Sequence, residues 1–401
     1  MRTTVIFDNL GPYHQARLCA AARVSELTAV QVSGRSAEYV WKNEAREEGF
    51  RLITLFPQGT SRDVAAGEMM RRMQEILESC RPEVVFVPGW SSRAALSALA
   101  WCSRNRVPAV VMSESTAWDE KRTGWKEAIK RRLVTLYAAA LIGGQSHADY
   151  VVQLGLTPDR VATGYDAVDN DYFQQRAADV RRQAASVRGD YGLPENYFLA
   201  SARFIEKKNL PGLLEAYARY RALCGEQQVS AWAFVLLGDG HLRPSLAAQI
   251  ERLQVQDHVL LPGFRQYPDL PAYYALAGAF VHASTIEPWG LVVNEAMASR
   301  LPVLVSDRCG CAADLVENGR NGFTFDPCDK EKLARLMQQM AAMSPEARQA
   351  MGGESERLVA EWGPRRFAEG LQLAARKARE AGPQRQANGL DRLLLEGLLR
   401  R

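Results

Sequence analysis

Two α/β domains, each built on a parallel sheet, are what this sequence predicts, and three observations lead there. Short apolar runs alternate with helical stretches of about 10–20 residues along the chain, which is the rhythm of βαβ units. That rhythm breaks between Asp166 and Glu195, in a polar segment rich in Arg, Gln and Ala, and restarts at Tyr197. The length of 401 residues exceeds the size at which a single core usually stops growing. The expected division is a first domain over 1–165, a linker over 166–195 and a second domain over 196–362. A C-terminal helix and tail over 363–401 can pack back on the first domain.

The strand candidates of the first half are Thr4 to Phe7, Leu27 to Val32, Val84 to Val87, Ala109 to Met112 and Ala139 to Ile142. After the first comes the turn Asp8 to Pro12, where Gly11 allows close approach of a ligand. His14, just beyond, is either a hydrogen-bonding or basic group for a hydroxyl or a structural residue at a helix start. After the fourth comes Ser113-Glu114-Ser115-Thr116, and His147 reads as a surface residue. From Lys121 to Tyr137 the pattern is a basic amphipathic helix, with Trp125, Ile129, Leu133 and Leu136 on one face. Such a helix either lies on an anionic membrane or packs on the core with a solvated basic back.

In the second half the strand candidates are Tyr197 to Ala200, Ala233 to Leu237, His258 to Leu261, Ala279 to Ala283 and Pro302 to Ser306. Four of them run into segments with chemistry. Arg203 and Lys208 follow the first, and a guanidinium with an ammonium suits a diphosphate, although both could be solvated surface cations. Gly238-Asp-Gly240 follows the second, either a turn passing close to a ligand or an ordinary tight turn. Pro262-Gly-Phe264 follows the third, where backbone could read a base edge beside Phe264.

After the fourth, Ser284 to Pro288 forms a loop carrying Glu287, and a helix starts at Gly290 and stops at Leu301-Pro302. Glu295 then lies about one turn into that helix. Unpaired N–H groups near Gly290, Leu291 and Val292 suit a phosphate between the two carboxylates. A carboxylate only accepts hydrogen bonds, so the pair fits a ligand with hydroxyls at both ends, as in a nucleotide sugar. The plain alternative is a dipole or capping role for one Glu. All four segments follow strands and would line one sheet's carboxyl edge.

Composition narrows the classes. Apolar residues at 47% and charged residues at 24% are ordinary for a globular enzyme. A net charge of +4 is too small to argue for nucleic acid. No apolar run suits a membrane span, and the start has no signal-peptide layout. Seven cysteines without metal-like spacing suggest reduced thiols in a cytoplasm, and Cys309-Gly-Cys311 reads as incidental. The tail from Ala381 ends in a short amphipathic helix with Leu390, Leu393, Leu394, Leu395, Leu398 and Leu399.

Taken together, Glu287-x7-Glu295, Arg203-x4-Lys208, Gly238-Asp-Gly240, Pro262-Gly-Phe264 and the stretch from Glu295 through Ser306 to Phe325 resemble the family 4 retaining glycosyltransferases. The resemblance is dense from about Tyr197 to Pro327 and looser elsewhere, with Gly164 to Phe173 similar to the family's interdomain segment. It implies the GT-B fold, two Rossmann-like parallel-sheet domains facing an interdomain cleft. It implies that Arg203 and Lys208 hold the donor diphosphate, Glu287 the donor sugar and Glu295 the ribose, with Gly290, Leu291 and Val292 adding amides to the phosphate cradle. Retention of configuration, a UDP donor before a GDP one, and a saccharide or lipid-linked acceptor are likewise implied, in cell-surface polysaccharide or glycolipid synthesis. A peripheral contact with the inner face of the membrane through Lys121 to Tyr137 is implied only by relatives with lipid-linked acceptors.

The chain departs from the pattern after its fourth strand, where many relatives carry a His and this chain offers Glu114, Ser113 or Ser115. Asp169-Asn-Asp171 spells the metal signature of a different glycosyltransferase fold, but it lies outside a strand-delivered nucleotide site, so no catalytic metal and no cofactor are expected. A nucleotide-sugar 2-epimerase of the same fold and a non-catalytic nucleotide-sugar-binding subunit are the alternative readings.

Overall fold

Runs such as Val84 to Val87 and Val303 to Val305 carry no polar alternation, and each lies buried on both faces in the middle of an all-parallel sheet. The computed structural model describes residues 1–34, 47–61 and 63–400. Two units are present, Met1–Val168 with Pro364–Arg401, and Asp169–Gly363.

The first unit contains β1 (Arg2–Phe7), α1 (Pro12–Ala22), β2 (Glu26–Ser33), β3 (Arg51–Phe56), α2 (Ala66–Cys80) and β4 (Val84–Pro88). There follow α3 (Arg93–Asn105), β5 (Ala109–Ser113), α4 (Gly124–Val134), β6 (Ala139–Ile142), α5 (Gln145–Gln153) and β7 (Val161–Thr163). The strand order is β3-β2-β1-β4-β5-β6-β7. Successive positions point to opposite faces: Ile6, Val85 and Val111 join one core, while Val5, Phe86 and Val110 join the other. The order reverses between β1 and β4, and the segments after β1 and β5, with Gly11 and Glu114, lie at the carboxyl ends of their strands.

The second unit contains α6 (Asn170–Arg182), α7 (Ala184–Tyr191), β8 (Tyr197–Ser201), α8 (Leu210–Glu226), β9 (Ala233–Leu237), α9 (Arg243–Arg252), β10 (Val259–Gly263) and α10 (Leu270–Leu276). It continues with β11 (Ala279–His282), α11 (Leu291–Ala298), β12 (Val303–Ser306), α12 (Ala312–Leu315), β13 (Gly322–Phe325), α13 (Lys330–Ala342) and α14 (Pro345–Val359). Its order is β10-β9-β8-β11-β12-β13. Pro262, which has no N–H to give, sits at the irregular end of the edge strand β10.

The linker expected over 166–195 needs correction. It contains α6 and α7, which belong to the second unit. Gln175, Arg176, Arg182 and Gln183 are exposed, whereas Phe173 and Ala177 are fully buried. Tyr172 stacks on Tyr267 with centroids 4.8 Å apart, and Arg181 Nε donates to the Ala275 carbonyl at 3.0 Å. Asp169 caps α6, accepting from the Tyr172 N–H at 3.1 Å. Three strands beyond those read from sequence, β3, β7 and β13, extend the sheets.

The chain then returns to the first unit. Helix α15 (Pro364–Ala381) buries Phe367, Leu371, Ala374 and Ala378 against the face that carries Phe86 and Val110. Helix α16 (Gly389–Leu399) turns Leu395 and Leu399 into the opposite core and leaves Leu390 and Leu393 60% and 66% exposed. The buried Asp391 holds its start, paired with Arg385 and Arg132. Among the described residues no helix is long and apolar enough to cross a membrane.

Candidate functional site

The carboxyl edge of the second sheet is assembled by hydrogen bonds between neighbouring loops, in the order of the strands that deliver them. The loop after β9 meets the loop after β8: the Phe204 N–H donates to the Asp239 carbonyl at 2.8 Å, and the Leu242 N–H to the Phe204 carbonyl at 3.2 Å. The loop after β8 meets the loop after β11, the Thr285 N–H donating to the Lys207 carbonyl at 2.9 Å. The loop after β12 splints the last, since Gly310 N–H donates to the Glu287 carbonyl at 3.0 Å and Cys311 N–H to the Trp289 carbonyl at 3.2 Å. The backbone of Cys309-Gly-Cys311 thus supports Glu287, while its two cysteines are free thiols.

That lacing puts Lys208 Nζ on Glu287 Oε2, two groups 79 positions apart in sequence. The side chains are only 11% and 10% exposed. The same oxygen accepts from His282 Nε2 at 2.8 Å and from Ser284 Oγ at 3.2 Å. Burial alone would raise the Glu287 carboxyl, but the Lys208 ammonium and the His282 hydrogen bond outweigh it and hold the group well below the usual carboxylate range. Burial lowers the imidazole of His282, against the pull of Glu287. Sequence reasoning missed His282 and Ser284. A His closing a buried strand, in a chain with five histidines, was the available signal.

Gly290 carries φ +101° at the start of α11, and a Cβ there would press the Glu287 Cγ at 3.3 Å. Leu291 and Val292 follow, half-buried, in the first turn, where helix N–H groups have no intrahelical acceptor. Glu295 lies inside the same helix, 1% exposed, with Oε2 accepting from the Tyr274 hydroxyl at 2.6 Å. Arg203 is half-buried in the loop after β8, and Phe264 is half-buried just past β10.

The two glycines after β9 lie close against the backbone of the neighbouring loop. Gly238 has φ +123°, and a Cβ on it would collide with the Ala202 carbonyl; Gly240 has φ +154°, and its Cβ would fall 2.6 Å from the Phe204 oxygen. Their bare backbone lets the Arg203 loop lie against them. Gly238→Ala should displace that loop, with a stability loss of about 3 kcal/mol from overpacking and left-handed strain together. Chemical denaturation checks it: an unchanged midpoint would show that the loop can move aside freely.

In the first unit the two candidates after β1 hold each other. His14 Nδ1 accepts from the Gly11 N–H at 3.0 Å, and its ring meets Phe7 edge-on at 4.5 Å. Burial, with Arg17 adding, pushes the imidazole down to about 3, too weak for a local base. The structure thus supports the helix-start reading of His14. His147, expected at the surface, repeats the device: it is 1% exposed, and Nδ1 accepts from the Gly144 N–H at 3.1 Å. Both rings occupy strand-to-helix turns, where an orphan helix N–H needs an acceptor. Glu114 stands half-buried directly after β5.

In helix α4 Leu133 joins the core, as does Leu136 just beyond the helix, while Trp125 is 57% exposed. Arg122 and Lys130 pair with Glu127 and Glu120, so part of the basic face is already neutralised. Lys121, Lys126 and Arg131 are exposed.

Two parallel-sheet, Rossmann-like units in one chain define the GT-B class of proteins. The structure of a sucrose-phosphate synthase from Thermosynechococcus elongatus superposes with a TM-score of 0.73 at 16% identity, covering 93% of this chain and 98% of that one. Anabaena Alr3699/HepE in complex with UDP gives 0.68 at 17% identity, covering 93% and 98%. Likeness at such identity speaks for the fold alone. In sequence, residues 187–357 match the family described as glycosyl transferases group 1. A relative in sequence is the alpha-monoglucosyldiacylglycerol synthase of Acholeplasma laidlawii, 29% identical over 147 residues, 36% of this chain and 35% of that protein. The chain spans less than half the length of the curated relatives it matches here, 35% to 47%.

Proposed function

We propose that the chain is a retaining glycosyltransferase that moves a sugar from a nucleoside-diphosphate sugar, UDP before GDP, to a saccharide or lipid-linked acceptor. The observation that carries this reading is the Lys208–Glu287 pair beside the start of α11, on the sheet edge that also bears Arg203. Arg203, Lys208 and the amides of Gly290 to Val292 take the diphosphate. Glu287 takes sugar hydroxyls, Glu295 the ribose, and the segment around Phe264 the base. The glycosidic bond to the diphosphate breaks as the acceptor oxygen bonds the same face of the sugar, its proton passing to a leaving phosphate oxygen. Catalysis then rests on positioning and on meeting the charge that develops on the diphosphate, with no metal required. The acceptor side is assigned to the first unit, with Glu114 foremost and Gly11 shaping the turn after β1. A UDP complex of HepE and a glycolipid synthase among the relatives lend weight to the donor and to a role in glycolipid or polysaccharide assembly. The exposed Trp125 with Lys121 and Lys126 suits contact with an anionic inner membrane face from the cytoplasm.

The test is a thermal-shift screen against UDP, GDP, ADP, TDP and CMP, with and without Mg²⁺. Ligand at about 100 times its dissociation constant adds roughly 2.7 kcal/mol, visible as a shift of a few degrees. The expected result is a shift with one nucleoside diphosphate that needs no Mg²⁺. No shift with any nucleotide would sink the reading. Conversion of the donor without acceptor would turn it to the epimerase.

A further inference from the structure

The Glu287 carboxylate is held in an unusual way, because three donors converge on one of its two oxygens. Lys208 Nζ, His282 Nε2 at 2.8 Å and Ser284 Oγ at 3.2 Å all meet Oε2. Among the described residues, Oε1 takes no hydrogen bond. A carboxylate only accepts, so the His282 proton must sit on Nε2. Ser284 Oγ lies 3.2 Å from that nitrogen as well, and can accept from it while giving its own proton to Oε2. The His282 Nε2–H and the Ser284 hydroxyl hydrogen are thereby both accounted for. The cluster is also rigid. His282 is 3% exposed and Ser284 fully buried, and the imidazole lies nearly parallel to the Phe280 ring, 14° apart in plane. Lys208 alone would neutralise Glu287 but could not fix the carboxylate plane, since an ammonium is a point charge on a flexible stem.

We infer that His282 and Ser284 are positioning residues that lock Glu287 Oε2 to the protein and reserve Oε1 for the hydroxyls of the donor sugar. The inference rests on the reading of Glu287 as the sugar-facing carboxylate. It adds two residues that decide whether the sugar, as distinct from the nucleotide, is held in register. Ser284 contributes a single hydroxyl and His282 the shorter bond, so the imidazole carries the larger share.

The experiment is calorimetric titration of wild type, His282→Phe, His282→Gln and Ser284→Ala with UDP, UDP-glucose, GDP and GDP-mannose. The ratio of sugar-nucleotide to diphosphate dissociation constants is the readout. Phe fills the buried site without a donor, and should raise that ratio about tenfold or more, the scale on which partners of a liganding group act. Diphosphate affinity should be nearly preserved in the same variant. Gln carries an N–H near the Nε2 position and should restore most of the ratio, while Ser284→Ala shifts it less. An unchanged ratio in His282→Phe overturns the inference alone, as does a His282→Gln variant no better than Phe in a folded protein. Wild type that binds none of the four ligands overturns the donor-site reading, and this inference with it.

Discussion

Replacing Arg203 by alanine is expected to abolish sugar transfer and most diphosphate binding while leaving the fold intact. The side chain is half-buried in a loop whose place is set by backbone, through Phe204 on Asp239 and Leu242 and through the bare faces of Gly238 and Gly240. Truncation at Cβ leaves those contacts standing, so the melting temperature should hardly change. What disappears is a guanidinium fork suited to two phosphate oxygens. Removal of one preorganised donor to a developing anion typically costs about 10²–10³ in rate, and a charged donor belongs at the upper end. Initial rates with the nucleotide selected by the thermal screen, together with the mutant's melting curve, check it. A fully active variant would remove Arg203 from the site, and an unfolded one would mean that the loop depends on the side chain.

Lys208→Met carries the second large effect, and it falls on stability as well as binding. The substitution keeps the side chain's bulk and deletes the cation, stranding Glu287 in a nearly buried place with only His282 and Ser284 as donors. Breaking a buried pair from one side costs about 3–5 kcal/mol, and the two remaining donors place this case near the lower figure, about 3 kcal/mol. The pH dependence has a definite sign. In the native protein Glu287 is held below its ordinary value, so its stabilisation is full above an unfolded value of about 4.3 and is lost only as pH falls towards the folded one. In the variant that depression is relieved, and the stability gap should be widest near neutrality and close in acid below about pH 4. Adding Glu287→Gln to the variant should recover part of the loss, because the stranded charge is gone. Urea unfolding of wild type and of the single and double variants at pH 7 and at about pH 2.5 measures all of this. A gap independent of pH would mean that the cost is packing and not charge.

Some of this was legible in residues alone. The fold class followed from period and length, because a strand buried on both faces must be apolar throughout and needs no long-range knowledge to be recognised. Arg203, Lys208, Glu287 and Glu295 drew notice because each stands just after a strand or at a helix start, where local chemistry already limits what a charged residue can do. Residues 166–195 misled, since a surface helix with one buried stripe of Phe173 and Ala177 resembles a polar linker in composition. His147 misled for the related reason that a polar residue looks exposed until the backbone N–H that it caps is known. The glycines after β9 were visible, but the backbone pressed against them belongs to a loop more than 30 residues earlier.

What the sequence by itself determined, then, is the pair of parallel sheets, the carboxyl edge that carries the charged motifs, and the match of residues 187–357 to the glycosyl transferases group 1. These depend on periodicity and on order along the chain, which local physics reads directly. Only the tertiary structure decided that Lys208 closes on Glu287, that His282 and Ser284 share the same carboxylate oxygen, and that His14 and His147 are helix caps. The first depends on which loops become neighbours when β9, β8, β11 and β12 align, while the histidine caps are bonds across three residues that form only once a turn takes its shape. A hydrogen bond between groups far apart in sequence exists only once the sheet has brought them within 3 Å or so of each other.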